Sequence, residues 1–150
     1  MPGYRTILYE VANHVATITL NRPEQRNAQS TELLHEVDAA IMAAGADPGV
    51  RVIVLAGAGD HFSAGHDLGT ADEQAYRAAN PMDPGIRGFY DRTWQLYVDM
   101  HLRWRNVGTP MIAAVQGYCI FGGWMVASTA DVVFAAEDAM FLGSLFQYFS

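Results

Sequence analysis

Ile112-Ala113-Ala114-Val115-Gln116-Gly117-Tyr118-Cys119-Ile120-Phe121-Gly122-Gly123 is the stretch on which the reading of the fold turns. With Met111 in front, its first residues make a short apolar run suited to a strand, Met111 to Val115, and Gly117 to Gly123 make a glycine-rich turn. A helical stretch follows from about Gly123 to Ala130. Where a helix begins, backbone N–H groups are unpaired and together carry about half a positive charge, so they can hold an oxyanion without a basic side chain. Gly122 and Gly123 would let a ligand come close to that backbone.

A second segment of the same build lies about 55 residues upstream. Val52-Ile53-Val54-Leu55-Ala56-Gly57 is a short apolar strand of the kind buried on both faces, and it leads through Phe62-Ser63-Ala64-Gly65-His66-Asp67-Leu68. Taken singly, each segment also fits an ordinary strand-to-helix turn, which is common. Further out, Ile7 to Glu10 and Val15 to Leu20 read as two strands with Asn13 in the turn, and Pro23 stops the second. Ser30 or Thr31 can cap a helix whose apolar positions Leu33, Leu34, Val37, Ala40, Ile41 and Ala44 make one stripe, ended by Gly45 and the Asp47-Pro48-Gly49 turn. From Gly69 to Asp91 periodicity disappears, which predicts a long loop. Trp94, Tyr97, Met100 and Trp104 mark a helix to about Asn106, and Val132 to Ala136 is a last apolar strand. The order ββ-α-β-loop-α-β-α-β predicts an α/β fold with parallel crossovers, one domain, and no internal repeat.

At 150 residues the chain can bury about two-thirds of its unfolded surface, and 51% apolar with 17% charged residues fits a globular protein. The formal charge of −7, with no basic stripe, argues against nucleic acid as a partner. No run approaches the roughly 18 apolar residues of a membrane helix, and no apolar h-region of a signal peptide follows Met1. Cys119 stands alone, so no internal disulfide is possible and a reducing cytoplasm is the simplest compartment.

The two glycine turns, together with Val15-Ala16-Thr17-Ile18-Thr19-Leu20-Asn21-Arg22-Pro23, Asn27-Ala28 and Ala130-Asp131-Val132-Val133-Phe134-Ala135, resemble the crotonase (enoyl-CoA hydratase/isomerase) family. The resemblance covers nearly the whole chain outside the Gly69–Asp91 segment. It implies a crotonase-like ββα spiral, with a mostly parallel sheet flanked by helices. It also implies an acyl-CoA thioester as substrate, with the coenzyme A carried by that substrate and no separate cofactor. Carried over position by position, the N–H of His66 and the N–H of Gly122 would be the two oxyanion donors. Ala28, Ala64, Asp67 and Leu68 would line the CoA channel, Gly123 and Met125 would lie against the substrate, and Arg26 would approach the CoA phosphates.

Two departures temper the likeness. Hydratases of the family set two glutamates around a water; here the first position is Met125 and the second is Leu145. A thioether and an isobutyl group cannot transfer protons, so ordinary hydration loses its acid–base carriers. Glu137 and Asp138 come too early to replace them and fall in a surface turn, whereas the imidazole of His66, titrating near neutrality, is a candidate substitute. The family includes a methylmalonyl-CoA decarboxylase with a similar Ser-Ala-Gly-His-Asp turn, and decarboxylation needs an enolate sink more than a base. A non-catalytic acyl-CoA binder or scaffold is the other alternative. Members are also longer, so the resemblance implies a catalytic domain incomplete over residues 1–150 and truncated before its C-terminal helices. Leu142, Leu145, Phe146, Tyr148 and Phe149 would then leave an apolar edge, to be covered in a homo-oligomer, a trimer or a dimer of trimers.

Other constellations read as structure. Asp60, His61, His66 and Asp67 lack a metal spacing, so no metal site is expected. Ser63 beside His66 and Asp67 is sequence adjacency rather than a triad, and Gly57-Ala58-Gly59 lacks the third glycine of a dinucleotide fingerprint. Cys119 is expected to be a packed small residue, His14, His35 and His101 to be surface or capping residues, and Trp94, Tyr97 and Trp104 to be a core stripe.

Overall fold

The computed structural model describes residues 3–143. Strands β1 (Ile7–Ala12) and β2 (Val15–Leu20) form an antiparallel hairpin in which Ala12 faces Val15. Its two turn residues, Asn13 and His14, both have positive φ (51° and 67°), as a two-residue hairpin turn matched to the strand twist requires. Along β2, Ala16, Ile18 and Leu20 are buried while the residues between them are half-buried. Helix α1 (Thr31–Ala46) lays the predicted stripe of Leu33, Leu34, Val37, Ala40, Ile41 and Ala44 on that face. Ser30 is its cap, the hydroxyl accepting from the Leu33 N–H at 3.1 Å.

Strand β3 (Val52–Gly57) pairs parallel with β2. It buries Ile53 and Leu55 fully but leaves Val52 and Val54 half-buried, so it is covered completely on one face, not on both as expected. Strands β4 (Met111–Val115) and β6 (Val132–Ala135) extend the parallel sheet, giving the order β1-β2-β3-β4-β6. The strand at 132–135 stands where the apolar pattern put it, yet all four residues are exposed.

A second, smaller layer belongs to the spiral that the resemblance implied, although the periodicity of the sequence did not mark its strands. Strand β5 (Tyr118–Ile120) pairs parallel with β7 (Met140–Leu142), and single bridges join Cys119 to Ser63 and His66 to Gln29. Each of β2, β3, β4 and β6 is therefore followed, within nine residues, by a short piece of this second layer, and the first three pieces lead to helical structure. The chain winds as a spiral of strand, turn and second strand, a repeat of structure that has no counterpart repeat in the sequence.

The predicted 69–91 loop is largely helical: α2 (Ala71–Ala79) and α3 (Gly85–Trp94) occupy it. Helix α3 continues through a π-helical segment, Gln95–Asp99, into α4 (Met100–Arg105). The buried residues of α2 and α3 are Glu73 and Gly88 alone, so neither helix carries the apolar stripe that periodicity detects. Of the expected aromatic stripe, Trp104 is fully buried and donates Nε1–H to Asp38 at 2.7 Å, whereas Trp94 is 47% exposed and stacks on Tyr90. Helix α5 (Gly122–Ala127) begins in the glycine turn and is shorter than predicted. Leu145, Phe146, Tyr148 and Phe149 lie outside the described residues.

Candidate active site

The turn at 63–67 is fixed by its neighbours before any ligand is considered. Ser63 donates its hydroxyl to the Asn27 carbonyl at 2.8 Å and accepts from the Gly65 N–H at 3.2 Å. The Gln29 N–H donates to the Gly65 carbonyl (2.7 Å), and the Asp67 N–H donates to the Gln29 carbonyl (3.0 Å). Along an extended backbone successive N–H groups face opposite edges. Pairing at 65 and 67 therefore turns the N–H of His66 to the other edge, where it has no acceptor among the described residues.

The turn at 121–123 meets this one. Gly122 is the first residue of α5, and the first helical bond, Met125 N–H to Phe121 carbonyl at 2.9 Å, leaves the Gly122 N–H unpaired among the described residues. Phe121 sits at φ 40°, a strained conformation for a bulky residue, held by its N–H donating to the Leu142 carbonyl at 2.7 Å. A Cβ on Gly122 would stand 2.6 Å from Gln29 Oε1 and 2.7 Å from the His66 ring. A Cβ on Gly123 would stand 2.6 Å from the Ser63 carbonyl oxygen, and one on Gly65 would be 2.8 Å from the Ile120 carbonyl oxygen. Glycine is required on both turns because they touch. The contact sets Gly122 against the ring of His66, and each of these residues, 56 positions apart, has an N–H unpaired among the described residues.

Beside that contact is a cavity of about 360 Å³ lined by His66, Asp67, Leu68, Arg77, Tyr97, Phe121 and Met125. The ring of His66 packs against Tyr97 (centroids 4.3 Å apart) and edge-on against Phe121 (5.5 Å). Burial pushes its pKa down to about 4, so the imidazole is neutral near pH 7 and does not titrate there as the sequence suggested. Among the described residues its Nδ1 has no partner, nor has either polar atom of the Gln29 side chain, a residue only 2% exposed. Met125 lines the cavity, so where the resemblance leads one to expect a glutamate a thioether borders the space.

The remaining predicted residues divide. Asp67 is buried and its carboxylate is fully engaged: Arg22 reaches it at 2.8 Å, and the Gly69 N–H, the Thr70 N–H and the Thr70 hydroxyl all donate to it. Burial alone would raise its pKa, but these donors bring it down to about 2. Its side chain thus holds the turn and has no free edge for a ligand. Leu68 is 84% exposed at the cavity rim. Ala28 and Ala64 are half-buried in the ladder that joins the two segments; the Ala28 carbonyl accepts from Arg22, and the Ala64 N–H donates to the Arg26 carbonyl at 2.9 Å. Arg26 is exposed, with φ 51°, its guanidinium 5.9 Å from the centre of the Tyr118 ring.

Ser63 and Asp67 are each bonded elsewhere, so with His66 they form no relay. Cys119 is buried, and burial pushes its thiol up to about 12. His101 corrects its surface assignment: it is buried against Trp104, neither ring nitrogen makes a well-formed hydrogen bond among the described residues, and burial brings its pKa down to about 4. Gln29, Arg77 and Tyr97 escaped the sequence reading. Gln29 belonged to no motif, Arg77 lay in the supposed loop, and Tyr97 passed as core. Only the ladder pairing of residue 29 with residue 66 and the helical phase of 71–79 reveal them.

The profile of the enoyl-CoA hydratase/isomerase family matches residues 10–148. The chain belongs to that family. A probable enoyl-CoA hydratase of Rhizobium meliloti is 38% identical over 139 residues, which are 93% of this chain and 49% of that protein. Among solved structures, a probable enoyl-CoA hydratase from Mycobacterium smegmatis is 47% identical with a TM-score of 0.78, over 90% of this chain and 50% of that one. An enoyl-CoA hydratase/isomerase from Xanthobacter autotrophicus Py2 is 40% identical with a TM-score of 0.79, over 93% and 49%. This member of the enoyl-CoA hydratase/isomerase family therefore has the crotonase fold of its neighbours, and it spans about half the length of the curated relatives it matches.

Proposed function

We propose that residues 1–150 are the front part of a crotonase-like catalytic domain. In this reading the thioester oxygen of an acyl-CoA accepts from the N–H groups of His66 and Gly122. The observation that carries the proposal is the pair of N–H groups left without acceptors where two glycine turns are pressed together. When a thioester loses a substituent or proton at Cα, negative charge gathers on the carbonyl oxygen. Two fixed donors stabilise that charge without reorganising, and one such donor is worth roughly 3 kcal/mol in comparable sites. Ala28, Ala64 and Leu68 would border the CoA arm, with Arg26, exposed and basic, towards its phosphates; Gly123 and Met125 would lie along the acyl part. Coenzyme A then arrives on the substrate and no further cofactor takes part.

Ordinary hydration of an enoyl-CoA is not the reaction proposed. Met125 stands in the cavity, and His66 is neutral and holds no acidic partner, so nothing described there delivers one proton while removing another. Decarboxylation of an acyl-CoA through the same enolate needs no such pair. The thioether at Met125 equally favours a second reading, a binder or scaffold that holds CoA esters without turning them over.

Among the described residues no helix is long and apolar enough to cross a membrane. A cytoplasmic homo-oligomer, a trimer or a dimer of trimers, completes the proposal, supported by the exposed apolar residues Val132, Val133 and Phe134 of β6. The test is a structure of the protein with a bound non-reacting acyl-CoA, alongside an assay with crotonyl-CoA. The carbonyl oxygen should lie within hydrogen-bond reach of both nitrogens, and crotonyl-CoA should be hydrated far below ordinary hydratase rates. A carbonyl bound elsewhere removes the oxyanion assignment; brisk hydration removes the argument from Met125.

A further inference from the structure

A second chamber, of about 540 Å³, shares Arg77 and Tyr97 in its walls with the cavity next to His66. The second chamber has apolar sides, Met82, Phe89 and Leu96 among them, and two guanidinium groups, Arg77 and Arg92. No carboxylate residue lines it, in a chain with sixteen acidic and only nine basic residues. A wall that gathers two of so few cations, with no acid opposite, is suited to an anion.

Glu73, which pairs with Arg77, explains how that guanidinium is presented. Glu73 is buried at the foot of α1, where its carboxylate accepts from the Thr31 N–H (2.7 Å) and the Thr31 hydroxyl (2.7 Å). The same carboxylate takes the Nε–H of Arg77, one turn along α2. Both terminal nitrogens of Arg77 are left without partners among the described residues. Arg92 is held by one bond from Nη1 to the Asn80 carbonyl at 2.9 Å. A guanidinium fixed at Nε with its Nη groups free is arranged for a planar, two-oxygen acceptor.

We infer that the acyl group accepted here ends in a carboxylate: the substrate class is a dicarboxylic acid joined to coenzyme A at one end, its free end held by Arg77 with Arg92 behind. The inference rests on the acyl-CoA reading and adds the chemistry of the chain's far end. Apolar walls in the second chamber, Tyr97 and Phe89 among them, suit the methylenes between the two ends.

Binding to the full protein is measured by calorimetry with three probes: glutaryl-CoA, valeryl-CoA of the same carbon count, and free coenzyme A. Glutaryl-CoA should bind at least about tenfold tighter than valeryl-CoA, an advantage that shrinks with added salt. In Arg77→Gln that ratio should fall towards one, and in Arg77→Lys it should stay partway. Should Arg77→Gln fail to fold because Glu73 loses its partner, Arg92→Gln gives the same readout, a reduced ratio. Equal binding of the two esters by the unaltered protein overturns the inference while leaving the acyl-CoA reading in place. A glutaryl preference that survives both Arg77→Gln and Arg92→Gln overturns it as well. Failure of every CoA ester to bind more tightly than free coenzyme A removes the acyl-CoA reading itself, and this inference with it.

Discussion

At Gly122 one hydrogen atom in place of a methyl group decides whether the two halves of the site can touch. The added carbon of Gly122→Ala would fall 2.6 Å from Gln29 Oε1 and 2.8 Å from His66 Nδ1. Both neighbours are confined: Gln29 is buried at the foot of α1, and the His66 ring is wedged between Tyr97 and Phe121. Neither can retreat without moving the turn whose N–H is proposed to meet the thioester. The substitution should cost about 1–3 kcal/mol of stability through overpacking and weaken acyl-CoA affinity at the same time. Thermal unfolding and calorimetry on the same variant check the pair of effects. An alanine variant that melts normally and binds normally would mean the turns are not pressed together as described.

At the scale of elements, the junction of α1, α2 and the cavity hangs on Glu73. Thr31, in the first turn of α1, offers an N–H with no intrahelical acceptor, and Glu73 supplies one from another helix. Glu73→Ala would strand that N–H, the Thr31 hydroxyl and the Nε of Arg77 together. A loss of about 3 kcal/mol is expected in urea unfolding, because buried donors are left bare, and the glutaryl-CoA preference should weaken since Arg77 is no longer aimed. This junction was the least legible part of the sequence. Strands β2, β3 and β4 and helix α1 announce themselves because each repeats apolar residues at the period of its own geometry over five or more positions. The pieces of the second layer run from single bridges to three residues, too short to show any period, so β5 passed as part of a turn and β7 went unread. Helices α2 and α3 are long enough, but what they bury is a glutamate and a glycine. The candidate site followed the same division. The two glycine turns could be found because backbone chemistry forces glycine there, while Gln29, Arg77 and Tyr97 matter through contacts that only the folded helices create.

For the molecule as a whole, proton uptake on unfolding gives a signature that no single contact does. Burial holds His66 and His101 at pKa values of about 4 in the folded chain, and shifts His35 in the same direction. In the unfolded chain each returns to about 6.5. Between those values the unfolded state binds protons that the folded state refuses, so stability is complete above about pH 6.5 and declines as pH falls towards 4. Asp67, held at about 2, then adds a further loss once pH drops below its usual carboxylate range. Urea midpoints taken at about pH 7, 6, 5 and 4.5 should therefore fall steadily, with the first part of the fall owed to histidine rather than to carboxylates. His101→Leu tests the origin: among the described residues neither ring nitrogen of His101 makes a well-formed hydrogen bond, only a weak approach to the Leu96 backbone, so leucine forfeits little there. The variant should be as stable as the parent near neutrality or more so, with a shallower decline towards pH 5. A midpoint that is flat over this range in the parent, or equally steep in the variant, would show that His101 is not buried as a neutral ring. The packing of the 95–105 helix against the site would then need a different account.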